Sequence, residues 1–177
     1  MEHSYFNCPV CEHTRMDKIK LSSNGDDFEI DYCIKCYGIW FDKGEVEKMY
    51  HLNANVLAEK VTLKSRIFKM KCHSCFNFMD RNSNNCQNCN WENIIDCPIC
   101  KKPLDVSLNE GIKLDYCNNC MGVWFDNIEL STIWDKHQSQ KIKQKRDLAV
   151  AEDVVEGVAF FAIIGHLING IFSILDF

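Results

Sequence analysis

The chain has 177 residues, an ordinary hydrophobic share of 46% and a formal net charge of −5. That composition excludes a disordered chain, and the acidic balance argues against generic binding to phosphate backbones, which needs a basic surface. Twelve cysteines leave disulfides or metal as the two readings. Residues 1–5 lead almost directly into Cys8 with no room for a signal peptide, so the expected compartment is the reducing cytoplasm, where thiols stay available for metal.

In chain order the cysteines fall into six Cys-x-x-Cys pairs with none left over. Two thiolates three apart on a tight knuckle hold one side of a Zn²⁺, and a second knuckle completes the tetrahedron. The pairs therefore read as three four-cysteine ligand sets and three Zn²⁺ per chain. Cys8, Cys11, Cys33 and Cys36 form the first set, and Cys72, Cys75, Cys86 and Cys89 the second; Cys97, Cys100, Cys117 and Cys120 form the third. Four thiolates on one Zn²⁺ carry a net −2, so three filled sites take the chain from −5 to about −11. Small modules of this kind bury little apolar surface alone and depend on such a staple.

Residues 1–41 are the first zinc ribbon. Residues 18–21 and 28–32 alternate as two strands of a hairpin, with Asn24, Gly25 and Asp26 as its turn. The segment 42–69 is predicted as a helix: Asp42 and Glu45 fit a capping box, and Val46, Met49 and Tyr50 form an apolar stripe. Residues 70–96 are a short second ribbon with a polar loop at 80–85. His73 lies inside one of its knuckles, but four cysteines already fill that site, so His73 reads as a bystander.

Residues 97–126 repeat the first ribbon. Asp31-Tyr32-Cys33 through Gly38-Ile39-Trp40-Phe41-Asp42 matches Asp115-Tyr116-Cys117 through Gly122-Val123-Trp124-Phe125-Asp126, 84 positions later. Residues 105–108 and 112–116 are its strands, joined by a shorter tip. A second helix over 127–150 starts on Asp126 and Glu129, buries Leu130, Ile133 and Trp134, and carries the basic run Lys136, Lys141, Lys143, Lys145 and Arg146, read as a solvated face. Residues 151–177 are predicted as a hydrophobic C-terminal helix. Its uncharged stretch 157–175 meets the lower length for a membrane span but has a polar seam of His166, Asn169 and Ser173.

The duplicated pattern, Cys-Pro-x-Cys, a hairpin, then Asp-Tyr-Cys-x-x-Cys-x-Gly-hydrophobic-Trp-Phe-Asp-x-x-Glu, resembles the TFIIB-type transcription factor zinc-finger family. The likeness covers residues 8–50 and 97–134, and departs at Tyr37, at Met121 and at Asn127-Ile128. It implies a zinc ribbon followed by a helix in each copy, and little about activity.

The fold class read here is thus small α+β and zinc-stabilised, with three ribbons, helices after the first and third, and the C-terminal helix. Trp40-Phe41 and Trp124-Phe125 are expected to pack each helix onto its ribbon rather than to stack on bases. Gly38 and Gly122 are expected to supply a positive φ after the knuckle. Complete ligand sets leave no free nucleophile and no open metal position, so no catalytic residues are assigned and the chain is read as non-enzymatic. The leading function is a zinc-binding module or adaptor for a protein partner, or for self-association, through the helices and tail. Membrane association through 157–175 is the alternative, and nucleic-acid binding is disfavoured by charge.

Overall fold

A computed structural model describes residues 5–23, 26–49, 54–63, 67–109 and 111–147. The expected C-terminal helix of 151–177, its membrane-length stretch, Tyr50 and the side chains of Val46 and Met49 lie outside the described residues. Among the described residues no helix is long and apolar enough to cross a membrane.

The chain forms β1 (Asp17–Ser23), β2 (Asp26–Tyr32), β3 (Ile39–Phe41), α1 (Lys43–Met49), α2 (Ala54–Lys60), β4 (Lys69–Lys71), β5 (Phe78–Asp80), β6 (Asp105–Asn109), β7 (Ile112–Tyr116), β8 (Val123–Phe125) and α3 (Asn127–Asp147). Helix after the first ribbon ends at Lys60, and residues 61–63 are not helical. The expected helix of the third module continues through the basic run to Asp147.

The two copies of the repeat do not stand apart. All their strands join one antiparallel six-stranded sheet in the order β1-β2-β3-β8-β7-β6, which reads alike from either edge. The join is β3 on β8, with Trp40 opposite Trp124, Ile39 opposite Phe125 and Phe41 opposite Val123. A local two-fold therefore passes between the two indoles.

Strand alternation splits the sequence Trp-Phe between the two faces of this sheet. Ile39, Phe41, Val123 and Phe125 join Leu21, Phe28, Ile30, Ile112 and Leu114 on one face, under Leu57 of α2 and Leu130 and Ile133 of α3. Phe41 and Phe125 meet edge to face at 5.6 Å, a favoured aromatic geometry. Trp40 and Trp124 occupy the opposite face with Met16, Met70, Met79, Ile95 and Leu104, among the cysteines of all three modules. The phenylalanines thus pack under helices as the sequence suggests, whereas the tryptophans pack under the middle module. Both indoles are fully buried, so neither offers a stacking platform.

Gly38 and Gly122 serve a different purpose from the one expected. The residues with left-handed backbone are their neighbours, Tyr37 at φ 63° and Met121 at φ 61°. A Cβ on Gly38 would lie 2.2 Å from Cζ2 of Trp124, and one on Gly122 would lie 2.2 Å from Cζ2 of Trp40. Each copy's glycine makes room for the other copy's indole.

Asn127, where the third module departs from the repeat, ties α3 to the first module. Its Nδ2 donates to the carbonyls of Thr62 at 2.5 Å and Tyr37 at 3.4 Å. The backbone N–H of Thr62 in turn donates to the Tyr32 hydroxyl at 3.2 Å.

Candidate metal centres

Each knuckle is a short turn whose geometry follows from the cysteine spacing. In five of the six, the N–H of the residue after the second cysteine donates to the carbonyl of the first: Tyr37 to Cys33, Phe76 to Cys72, Asn90 to Cys86, Lys101 to Cys97 and Met121 to Cys117, at 2.7–3.0 Å. The donor residue is left-handed every time, with φ between 58° and 63°. The sixth knuckle is one residue longer. There Cys8 donates to Thr14, and the positive φ moves to His13. Strands or bridges clasp each turn from outside: β2 with β3, β4 with β5 and β7 with β8, and the bridges Asn7–Arg15, Asn85–Glu92 and Asp96–Pro103. In the middle module the strands therefore flank a knuckle rather than separate the two knuckles.

The fold brings together the three expected sets of four. Within each set, one sulfur from every cysteine lies within 4.8 Å of the others. Cys8 and Cys36 are 3.6 Å apart, Cys72 and Cys89 3.6 Å, Cys75 and Cys86 3.7 Å, and Cys97 and Cys120 3.6 Å. A disulfide would need about 2.05 Å, whereas a tetrahedral Zn–S bond of about 2.3 Å gives an edge of about 3.8 Å. The donor chemistry and the spacing both fit Zn²⁺, so the three four-cysteine groups are zinc sites. What zinc supplies there is a structural cross-link, because four protein ligands complete its shell.

Backbone and side-chain amides point at the sulfurs and offset the charge of four thiolates. The N–H of Cys11 lies 3.3 Å from Cys8 Sγ and that of Cys100 3.2 Å from Cys97 Sγ. Asn119 Nδ2 donates to Cys100 Sγ at 3.0 Å, and Asn77 and Asn88 each reach Cys75 Sγ at 3.5 Å. The backbone N–H and the side-chain amide of Asn77 lower the Cys75 thiol to about 6, which favours the thiolate a metal needs. All four cysteines of the first site are buried; in the middle site Cys89 is exposed and Cys75 partly so. His73 belongs to no ligand group. Its ring lies 5.2 Å from that of Trp91, with Nδ1 3.8 Å from Glu12.

Sequence reasoning missed a pair of acid clusters beside the indoles, half-buried in the first module and buried in the third. Trp40 Nε1 donates to Asp42 Oδ1 at 2.8 Å, and Trp124 Nε1 to Asp126 Oδ1 at 2.9 Å. The expected capping boxes form from one side: Glu45 and Glu129 each accept the N–H of their cap Asp at 2.8 Å. The cap Asp's Oδ1 holds the indole, and the N–H of Glu45 and Glu129 goes to the Asp backbone carbonyl instead.

The two copies neutralise these acids differently. In the first, Lys18 on β1 donates to Asp31 at 2.9 Å. The matching position in the third module, opposite Asp115, is Val106. There the middle module supplies the cation. Arg81, 2% exposed, donates from Nη2 to Asp115 at 2.5 Å and places Nε 3.1 Å from Asp126. Burial opposes a charge on Arg81, but Asp126, Asp115 and Glu129 outweigh it and raise its pKa above the usual arginine value. Burial and the same two aspartates push Glu129 upward from the ordinary carboxylate range, while Arg81 works in the opposite direction. Asp115, Asp126 and Glu129 come close enough to suggest a cation site, and the cation in it is Arg81. The Lys18-to-Val106 change within an otherwise matched repeat is the sequence signal for this arrangement.

Residues 7–51 and 96–136 match the family model described as transcription factor zinc-finger, of the TFIIB zinc-ribbon type. Both segments are similar to that family, and together they span just under half of the chain. The middle cluster, and Arg81 with it, lies outside the two TFIIB-type ribbons. No curated protein and no solved structure matches the chain.

Proposed function

We propose that the chain is a non-enzymatic, zinc-built docking module of the cytoplasm that engages a protein partner. What carries this reading is a group of apolar side chains left outside the core. Phe76 is 65% exposed, Phe78 72% and Ile34 59%, all on the zinc-bearing modules. Exposed aromatics on a frame stiffened by metal are the usual anchors of protein recognition. Two further points support it. Every cysteine belongs to a closed four-sulfur set, and the nearby acid cluster is filled by Arg81, so neither offers a reactive position. The acidic net charge disfavours nucleic acid. The family description makes the transcription apparatus the first place to look.

The test is a photo-crosslinking residue at Phe76 or Phe78 in the zinc-loaded full chain, expressed in its host. Protein crosslinks that vanish when the middle site is disabled by Cys72→Ser are the expected result. Crosslinks to nucleic acid alone would overturn the proposal.

A further inference from the structure

The exposed phenylalanines border a groove of about 500 Å³ between the first knuckle and the middle ribbon. Val10 and His13 line one side, and β4 with Phe76 and Phe78 the other. The hairpin of β4 and β5 is two-stranded, so among the described residues β4 has no neighbour on its second edge.

The register shows what that edge offers. Arg81 N–H donates to Phe68 O at 3.0 Å and Cys72 N–H to Asn77 O at 2.9 Å, bracketing the ladder. Antiparallel strands alternate bonded and non-bonded pairs, so Met70 with Met79 is a bonded pair. Lys69 opposite Asp80 and Lys71 opposite Phe78 are the non-bonded ones. The N–H and C=O of Lys69 and Lys71 therefore point away from β5, off the edge that borders the groove. An open strand edge beside an apolar trough is a template for strand addition.

Charge selects the occupant. Lys35, Lys69 and Lys71 border the groove and are exposed, against Glu12 as the one carboxylate of the lining, while the −2 of the first zinc site, which reaches the lining at Cys11, sits on four buried cysteines. A polyphosphate chain would run past this local excess onto an acidic molecule, whereas a short peptide stays within it.

We infer that β4 takes an extended acidic peptide of a protein partner as an added strand: main-chain bonds to Lys69 and Lys71, apolar side chains against Phe76 and Phe78, carboxylates on the lysines. This rests on the docking-module reading and gives that module its ligand class.

The experiment uses the zinc-loaded full chain and an acetylated six-residue peptide of alternating glutamate and valine. Binding is followed by fluorescence anisotropy and by amide shifts in NMR. Three comparison probes are the same peptide with lysine for glutamate, one with alternate amides N-methylated, and an oligothymidylate. The acidic peptide shifts the amides of residues 10–13, 69–71 and 76–78. Lysine replacement, N-methylation and the double variant Lys69→Glu/Lys71→Glu each weaken it at least tenfold. Zinc content and circular dichroism verify that the variant folds, and Phe78→Ser provides an independent exposed-site change with the same expected loss. No saturable binding up to about 1 mM overturns the proposal. Equal binding of the lysine or N-methylated peptide, or tighter binding of the oligothymidylate, also overturns it. Protein crosslinks from a photo-crosslinking residue at Ile34, outside the groove, with none from Phe76 or Phe78 would remove this inference and leave the docking-module reading standing; no protein crosslink from any of the three removes both.

Discussion

The indole of Trp124 occupies the space where a side chain on Gly38 would begin, 2.2 Å from the position of a Cβ, and Trp40 does the same over Gly122. The seam between the two ribbons is thus a reciprocal exchange of a glycine for a tryptophan. Gly38→Ala must displace a fully buried indole and its bond to Asp126, so a loss of about 1–3 kcal/mol or more is expected. Gly44 in α1 has open space around its Cβ position, and Gly44→Ala should be neutral or add up to about 1 kcal/mol. Denaturant unfolding of the two zinc-loaded variants compares them directly. Equal stability would contradict the seam.

Arg81 reaches from the middle ribbon into the buried acids of the third module. Arg81→Ala leaves Asp115 and Asp126 without their cation and should cost about 3–5 kcal/mol. Arg81→Lys keeps a charge but loses the fork that spans both carboxylates, and should fall between the two. Val106→Lys, which copies Lys18 of the first ribbon, should recover part of the Arg81→Ala loss. A fully additive double variant would show that the two cations do not substitute for one another.

Burial pushes Glu45 up to about 8, with Asp42 and Asp31 adding to the shift. The unfolded chain gives up this proton near 4.5, so the folded state holds more protons between the two values. The contribution of Glu45 is therefore full below the lower value and is lost as pH rises toward 8. Glu45→Gln keeps an acceptor for the Asp42 N–H and cannot ionise. Its stability relative to the parent should rise from pH 6 to pH 8 and then level off, within a range where the thiolates keep their zinc. A constant difference across that range would place the Glu45 pKa in the ordinary carboxylate range.

The three zinc sites differ in access. Metal analysis should find three zinc per chain, and a chelator should unfold the ribbons, since their binding energy is folding energy. Release should begin at the middle site, where Cys89 is exposed and Cys75 partly so, and end at the first, where all four cysteines are buried. Alkylation of the chain during timed chelation, read by mass spectrometry, should modify Cys75 and Cys89 before Cys8, Cys11, Cys33 and Cys36. The reverse order would count against the packing described.

Much of this molecule is legible in one dimension because its chemistry is local. A Cys-x-x-Cys turn has few ways to present two sulfurs, so spacing alone groups the twelve cysteines into three sets. The hairpins follow from alternation at residues 28–32 and 112–116, and the helix starts from the Asp and Glu after each Trp-Phe. What the sequence could not decide is how the repeats meet, because that depends on residues far apart in the chain. Gly38 looks like a turn residue until Trp124 is laid over it. Trp40 looks like a partner for its own helix until strand alternation turns it to the other face. Arg81 looks like one charge in a polar loop until Val106 leaves Asp115 without a cation, and only the tertiary structure brings those three together.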